Sequence, residues 1–294
     1  MNVDVTVCTL VRGRRAQLVN MMTSLARQTV RPSELIIAYM QNEPHRDLPA
    51  MPFPVKTLLV PGHRLPLAAA RNRAALVANG RTLIFLDVDC IPGPNLIAAY
   101  ANAVRDTGGC VMGETRYLGP ETLGARGDKP VPPGAFNRLW AAATRHPARM
   151  DGTQVDGLTP LSDYGELWGL SFALPKLQFL ACGGFDETFV GYGAEETDFA
   201  RSLQEADVPL HFEPRARAVH QWHPVHVPPV QHFEDIVANA IRFRRKRGEW
   251  CMDYWLDQFE RDGYIRRGEK IEVLRRPTAD ELRLSRQPDD VRFS

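Results

Sequence analysis

Short apolar runs alternate with amphipathic segments along the first part of the chain. Four runs have the length and the β-favouring residues of buried strands, and they cover residues 3–10, 34–40, 55–60 and 82–86. Apolar residues at helical spacing predict one helix around residues 18–25 and a second over 67–79, with Gly80 in the position after the last turn that glycine favours. Strands and helices in this order predict an α/β fold with a mostly parallel central sheet flanked by helices.

The second part of the chain carries fewer such runs. The pattern predicts two short strands and two helices there, at residues 109–113, 216–219, 95–104 and 233–247. Residues 119–165 are rich in Pro, Gly and charge, with one short helical piece, and a loop of this length is typical of a mobile, substrate-facing insertion. We therefore predict a core domain at 1–226 with an insertion at 119–165. A helical extension and a polar tail follow at 227–294, and the tail is expected to fray beyond Arg275.

Composition is that of an ordinary globular protein. Hydrophobic residues make up 44% of the 294 residues, charged residues 24%, and the formal net charge is +1, which argues against attraction of the whole protein to nucleic acid. The five cysteines lack the paired spacing of a zinc site or a disulfide framework, so a cytoplasmic location is expected. No apolar run approaches the ~20 residues needed to cross a bilayer, so any membrane contact is expected to be peripheral, at the inner face.

The first candidate site lies where the fourth predicted strand ends. Asp87 and Asp89 follow it directly, and in extended backbone a spacing of two places both carboxylates on the same side. Open α/β sheets bind ligands beyond the carboxyl ends of their strands, and Mg²⁺-like cations take one or two carboxylates together with phosphate oxygens. The pair therefore predicts a site for a divalent cation and a diphosphate. The alternative is that the aspartates only begin a turn before Gly93 and Pro94 and cap the next helix.

A second group of acidic residues follows a glycine-rich stretch. Gly191 and Gly193 permit backbone turns that other residues resist, and Glu195 and Glu196 come directly after them. Acidic residues in the first turn of a helix also complement its dipole, which is the structural interpretation. Consecutive carboxylates presented by such a turn indicate a general base as well.

Three histidines follow the predicted strand at residues 216–219. His220, His223 and His226 lie at intervals of three, and their imidazoles are candidate ligands for the same cation, although a lone histidine is more often a hydrogen-bonded structural residue. The basic run within residues 233–247 also has two interpretations. It forms a solvated helix face, or it contacts phosphate or anionic lipid.

Together these motifs resemble glycosyltransferase family 2 enzymes, which have the GT-A fold with a nucleotide-binding half and an acceptor-binding half. The resemblance covers residues 3–226. Its matching segments, in chain order, are residues 5–12, Gln28-Thr29, Ala70-Arg71-Asn72, Asp87-Val88-Asp89 and the run from Gly191 to Glu196. In two places the chain departs from the family. Tyr39-Met40-Gln41-Asn42 stands where many members have paired aspartates that read the base, and Glu196 stands where Asp is usual.

The resemblance implies that a sugar moves from a nucleoside diphosphate sugar to a saccharide or other hydroxyl acceptor, with inversion and with Mn²⁺ or Mg²⁺ as cofactor. It implies Glu196 as the catalytic base. It implies Asp87 and Asp89 as metal ligands, with His220 or His223 completing the site. The donor-binding residues that it implies are Thr9, Leu10, Arg12, Gln41, Arg71, Asp87, Trp168 and Glu195.

Two other functions are compatible with the sequence. A nucleotidyltransferase also uses paired aspartates, but it is expected to carry a glycine-rich, basic phosphate loop, of which Gly13-Arg14-Arg15 is a faint version. A non-catalytic module that binds sugar nucleotides is the other alternative. The presence of Asp87, Asp89 and Glu196 argues against such a module.

Overall fold

The computed structural model describes residues 3–123, 130–149 and 157–293. Ten strands in these ranges form one central sheet. They are β1 (Val5–Val11), β2 (Glu34–Tyr39), β3 (Val55–Leu59), β4 (Thr82–Leu86), β5 (Cys90–Pro92), β6 (Cys110–Tyr117), β7 (Thr144–Arg145), β8 (Thr159–Leu161), β9 (Ser171–Pro175) and β10 (Leu210–His220).

The sheet is largely parallel, which confirms the predicted fold class. In spatial order the strands are β3-β2-β1-β4-β9-β6-β10-β5, with β7 beside β6 and β8 beside β10. Strands β3, β2, β1 and β4 are parallel to one another, and β6 is parallel to β10. Strand β9 is antiparallel to both β4 and β6, so the two parallel groups run in the same direction. Their carboxyl ends therefore meet at one edge of the sheet.

Helices cover both faces of the sheet, and three of them lie in the C-terminal extension. They are α1 (Arg15–Leu25), α2 (Leu67–Val77), α3 (Leu96–Thr107), α4 (Pro120–Leu123), α5 (Phe136–Ala142), α6 (Lys176–Ala181), α7 (Glu195–Glu205), α8 (Phe233–Arg247), α9 (Asp253–Arg261) and α10 (Ala279–Ser285). A small hairpin, β11 (Ile265–Arg267) with β12 (Ile271–Val273), follows α9. No helix within the described ranges has both the length and the apolar character that a bilayer crossing requires.

Alternate residues of β1 enter two apolar layers on opposite faces of the sheet. Cys8 and Leu10 share one layer with α2, whereas Val7 and Val11 share the other with α1 and α3. Because both faces are covered, β1 and β2 are buried at every position and β4 at all but its first. Strand β3 lies at the edge of the sheet, and its residues alternate between exposed and half-buried.

Helix α2 ends at Val77 rather than at Gly80. Ala78 leaves the helix with ψ of 137°, and Gly80 belongs to the segment that leads into β4. A Cβ atom at Gly80 would lie 2.6 Å from the Thr6 backbone nitrogen, so this glycine allows close packing against β1. Its predicted role at the helix end was wrong.

Much of the segment 119–165 is built into the fold. Strand β7 pairs with β6, β8 pairs with β10, and helices α4 and α5 precede them. The short helical piece that the sequence predicts around residues 136–143 is confirmed as α5, whereas the expectation that the rest of the insertion is irregular was wrong. Residues 124–129 and 150–156 lie outside the described residues. Strands of two and three residues are too short to show a periodic pattern in the sequence. Whether residues 119–165 move when a substrate binds stays a prediction.

The polar tail packs on the core. Trp222 Nε1 donates a hydrogen bond to the Val291 carbonyl at 3.3 Å, and the Phe293 ring centre lies 5.1 Å from that of Tyr117. The prediction that the chain frays beyond Arg275 was wrong, because a few backbone and ring contacts hold a segment whose composition is polar. The domain division at residue 226 stays a prediction.

The basic end of α8 binds helix α7. Arg247 Nε and Lys246 Nζ lie 2.7 and 2.8 Å from the carboxylate oxygens of Asp198, and Arg247 also pairs with Glu205. The Asp198 side chain is 1% exposed. Arg247, whose side chain is 9% exposed, is therefore a buried ion-pair partner and not part of a solvated face, which corrects that interpretation for this residue. Lys246 is an ion-pair partner as well, although its side chain is 37% exposed. Contact of the remaining basic residues with lipid or phosphate stays a prediction.

We expect Asp198→Asn to lower the free energy of unfolding by about 3 kcal/mol, because removing one partner of a buried ion pair leaves the other charges uncompensated. Urea unfolding measures the loss. Asp186→Asn is the matched control, since Asp186 shares Lys246 at 2.7 Å but has a 25% exposed side chain. The control should cost less than about 1 kcal/mol. Equal losses from the two substitutions would contradict the prediction.

Candidate active site

The pairing of β5 with β10 builds the centre of the site. These antiparallel strands place Cys90 opposite His220, so Asp89, one residue earlier, lies beside the end of β10. The Asp89 carbonyl accepts a hydrogen bond from the Gln221 backbone N–H at 2.7 Å. The turn after β4 is thereby tied to the segment that carries the histidines.

Three of the four predicted metal ligands lie together. Among the described residues, Asp89, His220 and His223 each offer a ligand atom, and these atoms lie within 4.8 Å of one another. We refer to these three residues as the ligand cluster. Asp87 and His226 lie outside it. The metal-ligand role of all these residues stays a prediction.

Charge and burial in the ligand cluster fit a divalent cation. Asp89 is 1% exposed, and its Oδ1 atom has no hydrogen-bond partner among the described residues. Burial lowers the pKa of His220 well below its usual value and that of His223 to about 4, and the positive charge of Arg14 adds to both effects. Both imidazoles are therefore neutral near pH 7, which is the form that binds metals.

The two acidic residues that begin α7 have different surroundings. Glu195 is 4% exposed and accepts a hydrogen bond from Arg71 Nη1 at 2.9 Å. Glu196 accepts one from the Gly169 backbone N–H at 2.5 Å. Desolvation, and then the charge of Glu195, raise the pKa of Glu196 to about 7, against the opposing effects of Arg71 and Gly169. A carboxyl group that titrates near neutral pH has the proton affinity that a general base needs.

Arg71 and Gly169 pack tightly against both acids. Arg71 is 7% exposed, and its guanidinium lies 4.9 Å from the ring centre of Phe185, so it is not a solvated helix residue. A Cβ atom at Gly169 would lie 2.1 Å from Glu196 Oε2 and 2.7 Å from Arg71 Nη2. The absence of a side chain at Gly169 therefore leaves room for the Glu196 carboxylate beside β9.

The glycine-rich turn before α7 has the unusual backbone that the sequence predicts. Gly191 and Gly193 have φ of 87° and 90°, and Ala194, the residue that precedes α7, has φ of 72°. A Cβ atom at Gly191 would lie 2.2 Å from the carboxyl carbon of Asp235. This position therefore excludes side chains for two reasons, its left-handed backbone and its contact with α8.

Asn239 of α8 holds the turn in place. This buried side chain is 0% exposed, and its Nδ2 atom donates to three backbone carbonyls at 3.2, 3.3 and 3.0 Å, those of Val190, Tyr192 and Gly193. Asn239 was not predicted as a site residue from the sequence. The available signal was an amide among Ile236, Ala240 and Phe243 on the apolar face of a predicted helix.

Replacement of Asn239 by Ala is expected to lower the free energy of unfolding by about 1–3 kcal/mol, because it leaves buried carbonyl groups without a donor. Thermal or urea unfolding measures this loss. Asn102→Ala is the matched control, since Asn102 is exposed on α3 and its amide oxygen accepts a hydrogen bond from Arg105 Nη1 at the surface. The control is expected to stay within about 0.5 kcal/mol of the wild type. If the two variants unfold alike, Asn239 does not hold the turn.

Arg12 and Gln41 shape the edge where the nucleoside was predicted. Arg12 Nε donates to the Met40 carbonyl at 2.8 Å, and its Nη2 atom donates to the Gly62 carbonyl. Gln41 Oε1 accepts from the Gly13 backbone N–H at 2.6 Å. Both side chains thus brace the loops that follow β1, β2 and β3, and their contact with a donor stays a prediction.

Thr9, Leu10 and Asp87 lie at the carboxyl ends of the neighbouring strands β1 and β4. Thr9 is 1% exposed and its hydroxyl has no partner among the described residues, whereas the Leu10 side chain packs into an apolar layer. Desolvation raises the pKa of Asp87, and the charges of Arg14 and Arg71 oppose this rise. The positive charges of two arginines thus act on Asp87, and its contact with a donor stays a prediction.

Aromatic rings connect the ligand cluster with the far wall of the site. The Tyr117 ring centre lies 4.9 Å from that of His220, and the His146 ring centre lies 4.8 Å from that of Trp168. Arg149 covers one face of Trp168, with its guanidinium 4.0 Å from the ring centre. Trp168 is thus half-buried in a wall of the site, and its predicted contact with a sugar ring stays a prediction.

Comparison with known proteins places this site in a family. The sequence profile of glycosyl transferase family 2 matches residues 6–155, and that of the N-terminal domain of galactosyltransferase matches residues 153–224. The first match covers half of the chain. The protein therefore belongs to glycosyltransferase family 2, as the sequence motifs predict.

Two curated relatives are similar over part of their length. Both are validoxylamine A glucosyltransferases, from Streptomyces hygroscopicus subsp. jinggangensis (strain 5008) and subsp. limoneus, and each is 31% identical over 159 residues. The match covers 51% of this chain but only 37% and 34% of the two relatives. The chain thus spans about a third of the length of these proteins.

Solved structures confirm the GT-A fold. The chain resembles GalNAc-T7 crystallised with UDP, GalNAc and Mn²⁺, with a TM-score of 0.52 at 19% identity over 74% of this chain and 43% of the other. It also resembles residues 1–349 of S. aureus TarS, with a TM-score of 0.52 at 12% identity over 88% and 72% of the two chains.

Proposed function

We propose that the protein transfers a sugar from a nucleoside diphosphate sugar to a hydroxyl group of an acceptor, with inversion at the anomeric carbon. The observation that carries this proposal is a candidate base, Glu196, at the same edge of the sheet as a separate cluster of cation ligands. Inversion requires a base on the acceptor side and positive charge at the departing diphosphate. Membership of glycosyltransferase family 2 supports the reaction class.

In the proposed reaction Glu196 removes the proton of the acceptor hydroxyl. The acceptor oxygen forms its bond to the anomeric carbon while the bond from that carbon to the diphosphate oxygen breaks. Glu195 has a different role, since it binds Arg71 at 2.9 Å and so fixes a buried guanidinium beside the reacting groups. Arg71 and Asp87 are proposed to contact the donor.

The ligand cluster would hold the cation. A donor set of one carboxylate and two imidazoles favours Mn²⁺ over Mg²⁺, because Mg²⁺ strongly prefers oxygen ligands. When bound, such a cation would offset the negative charge that develops on the diphosphate. Mn²⁺ is also present in one of the solved structures that share the fold, so it is the first ion to test.

Glucose is the first donor sugar to test. The two curated relatives carry the name of a glucosyltransferase, and their similarity covers half of this chain. No single nucleoside is chosen for the test. Many family members have paired aspartates after the second strand that read the base, whereas this chain has Gln41 after β2.

A donor panel tests the proposed function. The protein is incubated with nucleoside diphosphate sugars, Mn²⁺ or Mg²⁺ and saccharide acceptors, and a sample with a chelator serves as control. Release of nucleoside diphosphate together with a glycosylated acceptor is expected, and NMR of the product should show inversion of the anomeric configuration. A parallel sample with nucleoside triphosphate and sugar 1-phosphate tests the alternative, since release of pyrophosphate from the triphosphate would indicate a nucleotidyltransferase. Binding of the sugar nucleotide without turnover in either sample would indicate a non-catalytic module.

A further inference from the structure

We propose that Arg14 is a substrate-binding residue with two alternative partners. These are the Asp89 carboxylate, which it binds here, and the diphosphate of the donor, to which it turns when a cation takes its place on Asp89. The inference rests on the proposed function for the nature of the ligand. Its test measures binding alone and needs no sugar transfer.

The backbone around Arg14 is anchored in an unusual conformation. Gly13 and Arg14 both have positive φ, of 61° and 51°, and a left-handed residue other than glycine costs about 1–2 kcal/mol. Two hydrogen bonds to acceptors in the loop after β2 hold this turn. Gly13 N–H donates to Gln41 Oε1 at 2.6 Å, and Arg15 Nη2 donates to the Asp47 carbonyl at 2.7 Å. Such strain persists where surrounding contacts impose it, and it is most common at functional sites.

The Arg14 side chain reaches from the surface to a buried carboxylate. Its Nη1 atom forms an ion pair with Asp89 Oδ2, although the Arg14 side chain is 40% exposed and that of Asp89 only 2%. A buried carboxylate without a counter-charge is costly, and this guanidinium supplies the counter-charge. It does so at the residue that belongs to the ligand cluster.

The charge of Arg14 acts on the whole site. It opposes the rise in the pKa of Asp87 that burial causes, and it contributes to the lowered pKa values of His220, His223 and His232. These residues lie in the turn after β4, at the end of β10 and just after it, and directly before α8. The charge of Arg14 therefore acts on several elements of the site. A diphosphate bound at this position would meet a planar donor group that suits phosphate oxygens.

A cation and a guanidinium compete for the same carboxylate. Arg14 binds Asp89 Oδ2, whereas Oδ1 has no partner among the described residues. Two positive charges on one carboxylate repel each other, so a cation that binds Asp89 weakens its ion pair with Arg14. The long, partly exposed side chain can then turn toward the diphosphate while its backbone stays anchored. Arg14 should therefore oppose the binding of a cation alone and favour the binding of cation and diphosphate together, which is a coupling between two ligands.

The experiment measures Mn²⁺ and pyrophosphate binding by calorimetry, with EPR of free Mn²⁺ as a second readout. Pyrophosphate supplies the diphosphate without a choice of nucleoside. The variants are Arg14→Ala and Arg14→Gly, of which the second relieves the left-handed strain and guards against misfolding. Arg81→Ala is the matched control, because it removes an arginine that pairs with Asp4 at the opposite edge of the sheet.

Without Arg14, Mn²⁺ alone should bind roughly tenfold more tightly than in the wild type. Pyrophosphate at saturating Mn²⁺ should bind roughly 10–100-fold more weakly, which is the effect of a lost charge-assisted hydrogen bond. The control should match the wild type in both. Unchanged or weaker Mn²⁺ binding in both Arg14 variants would overturn the proposal, as would unchanged pyrophosphate binding. A protein that shows the expected shifts but transfers no sugar would retain this inference and lose the proposed function.

Discussion

Replacing Glu196 with Gln is expected to lower the rate of sugar transfer by roughly 10²–10⁴-fold, the effect typical of a lost general base. Glutamine keeps the size of the side chain and can still accept a hydrogen bond from the Gly169 N–H, but it has no useful proton affinity. The local structure should therefore persist and donor binding should be unchanged. Single-turnover transfer and calorimetric binding of the donor measure the two effects separately.

Glu195→Gln is the matched control, because it changes the neighbouring residue in the same chemical way. Glu195 binds Arg71, so its loss should weaken the positioning of the donor and reduce binding as well as turnover. If Glu195→Gln abolishes transfer while Glu196→Gln transfers at near the wild-type rate, the base is Glu195. A product that retains the anomeric configuration of the donor would contradict the single-displacement mechanism itself.

The pH dependence of transfer provides an independent measurement of the same base. Glu196 must be ionised to accept a proton, and its pKa is raised from the ordinary 4.5 to about 7. The rate should therefore fall as the pH drops below about 7 and reach a plateau above it. A rate that stays constant down to pH 5 would show that the base has an ordinary pKa or is another group.

The parallel strands β1 to β4, and the acidic residues at the carboxyl end of β4, were predictable from short stretches of sequence. Strand β4 is a continuous apolar run that ends in Asp87, and the glycines at 191 and 193 stand directly before the two acidic residues. Each of these signals is local, because burial on both faces fixes the composition of the strand and positive φ fixes the glycines.

The contacts that assemble the ligand cluster could not be predicted in this way. Asp89 and His220 are 131 positions apart in the chain, and they meet because the three-residue strand β5 pairs with the end of β10. No periodicity can show itself in three residues. Asp87 and Asp89 looked equivalent in the sequence, whereas this pairing brings only Asp89 into the ligand cluster. The ion pair of Arg14 with Asp89 is equally a product of the tertiary fold.

Replacing Asp89 with Asn is expected to abolish the effect of Mn²⁺ on nucleoside diphosphate binding. Asp89 is the one carboxylate of the ligand cluster, and its loss removes the negative charge that offsets the cation. Loss of a residue that only hydrogen-bonds a metal ligand typically lowers metal affinity by roughly 10–100-fold. Loss of the ligand Asp89 itself should lower the Mn²⁺ affinity by more than that. Thermal shift with nucleoside diphosphate, measured with and without Mn²⁺, records the result.

Asp87→Asn is the matched control for Asp89→Asn, because it removes a carboxylate two residues away that lies outside the ligand cluster. It should reduce donor binding but preserve a response to Mn²⁺ alone. His220→Ala and His223→Ala should each weaken that response, because both imidazoles are neutral and lie with Asp89 in the ligand cluster. If Asp89→Asn keeps the full Mn²⁺-dependent shift while Asp87→Asn loses it, the cation binds at Asp87 and the ligand cluster is not the metal site.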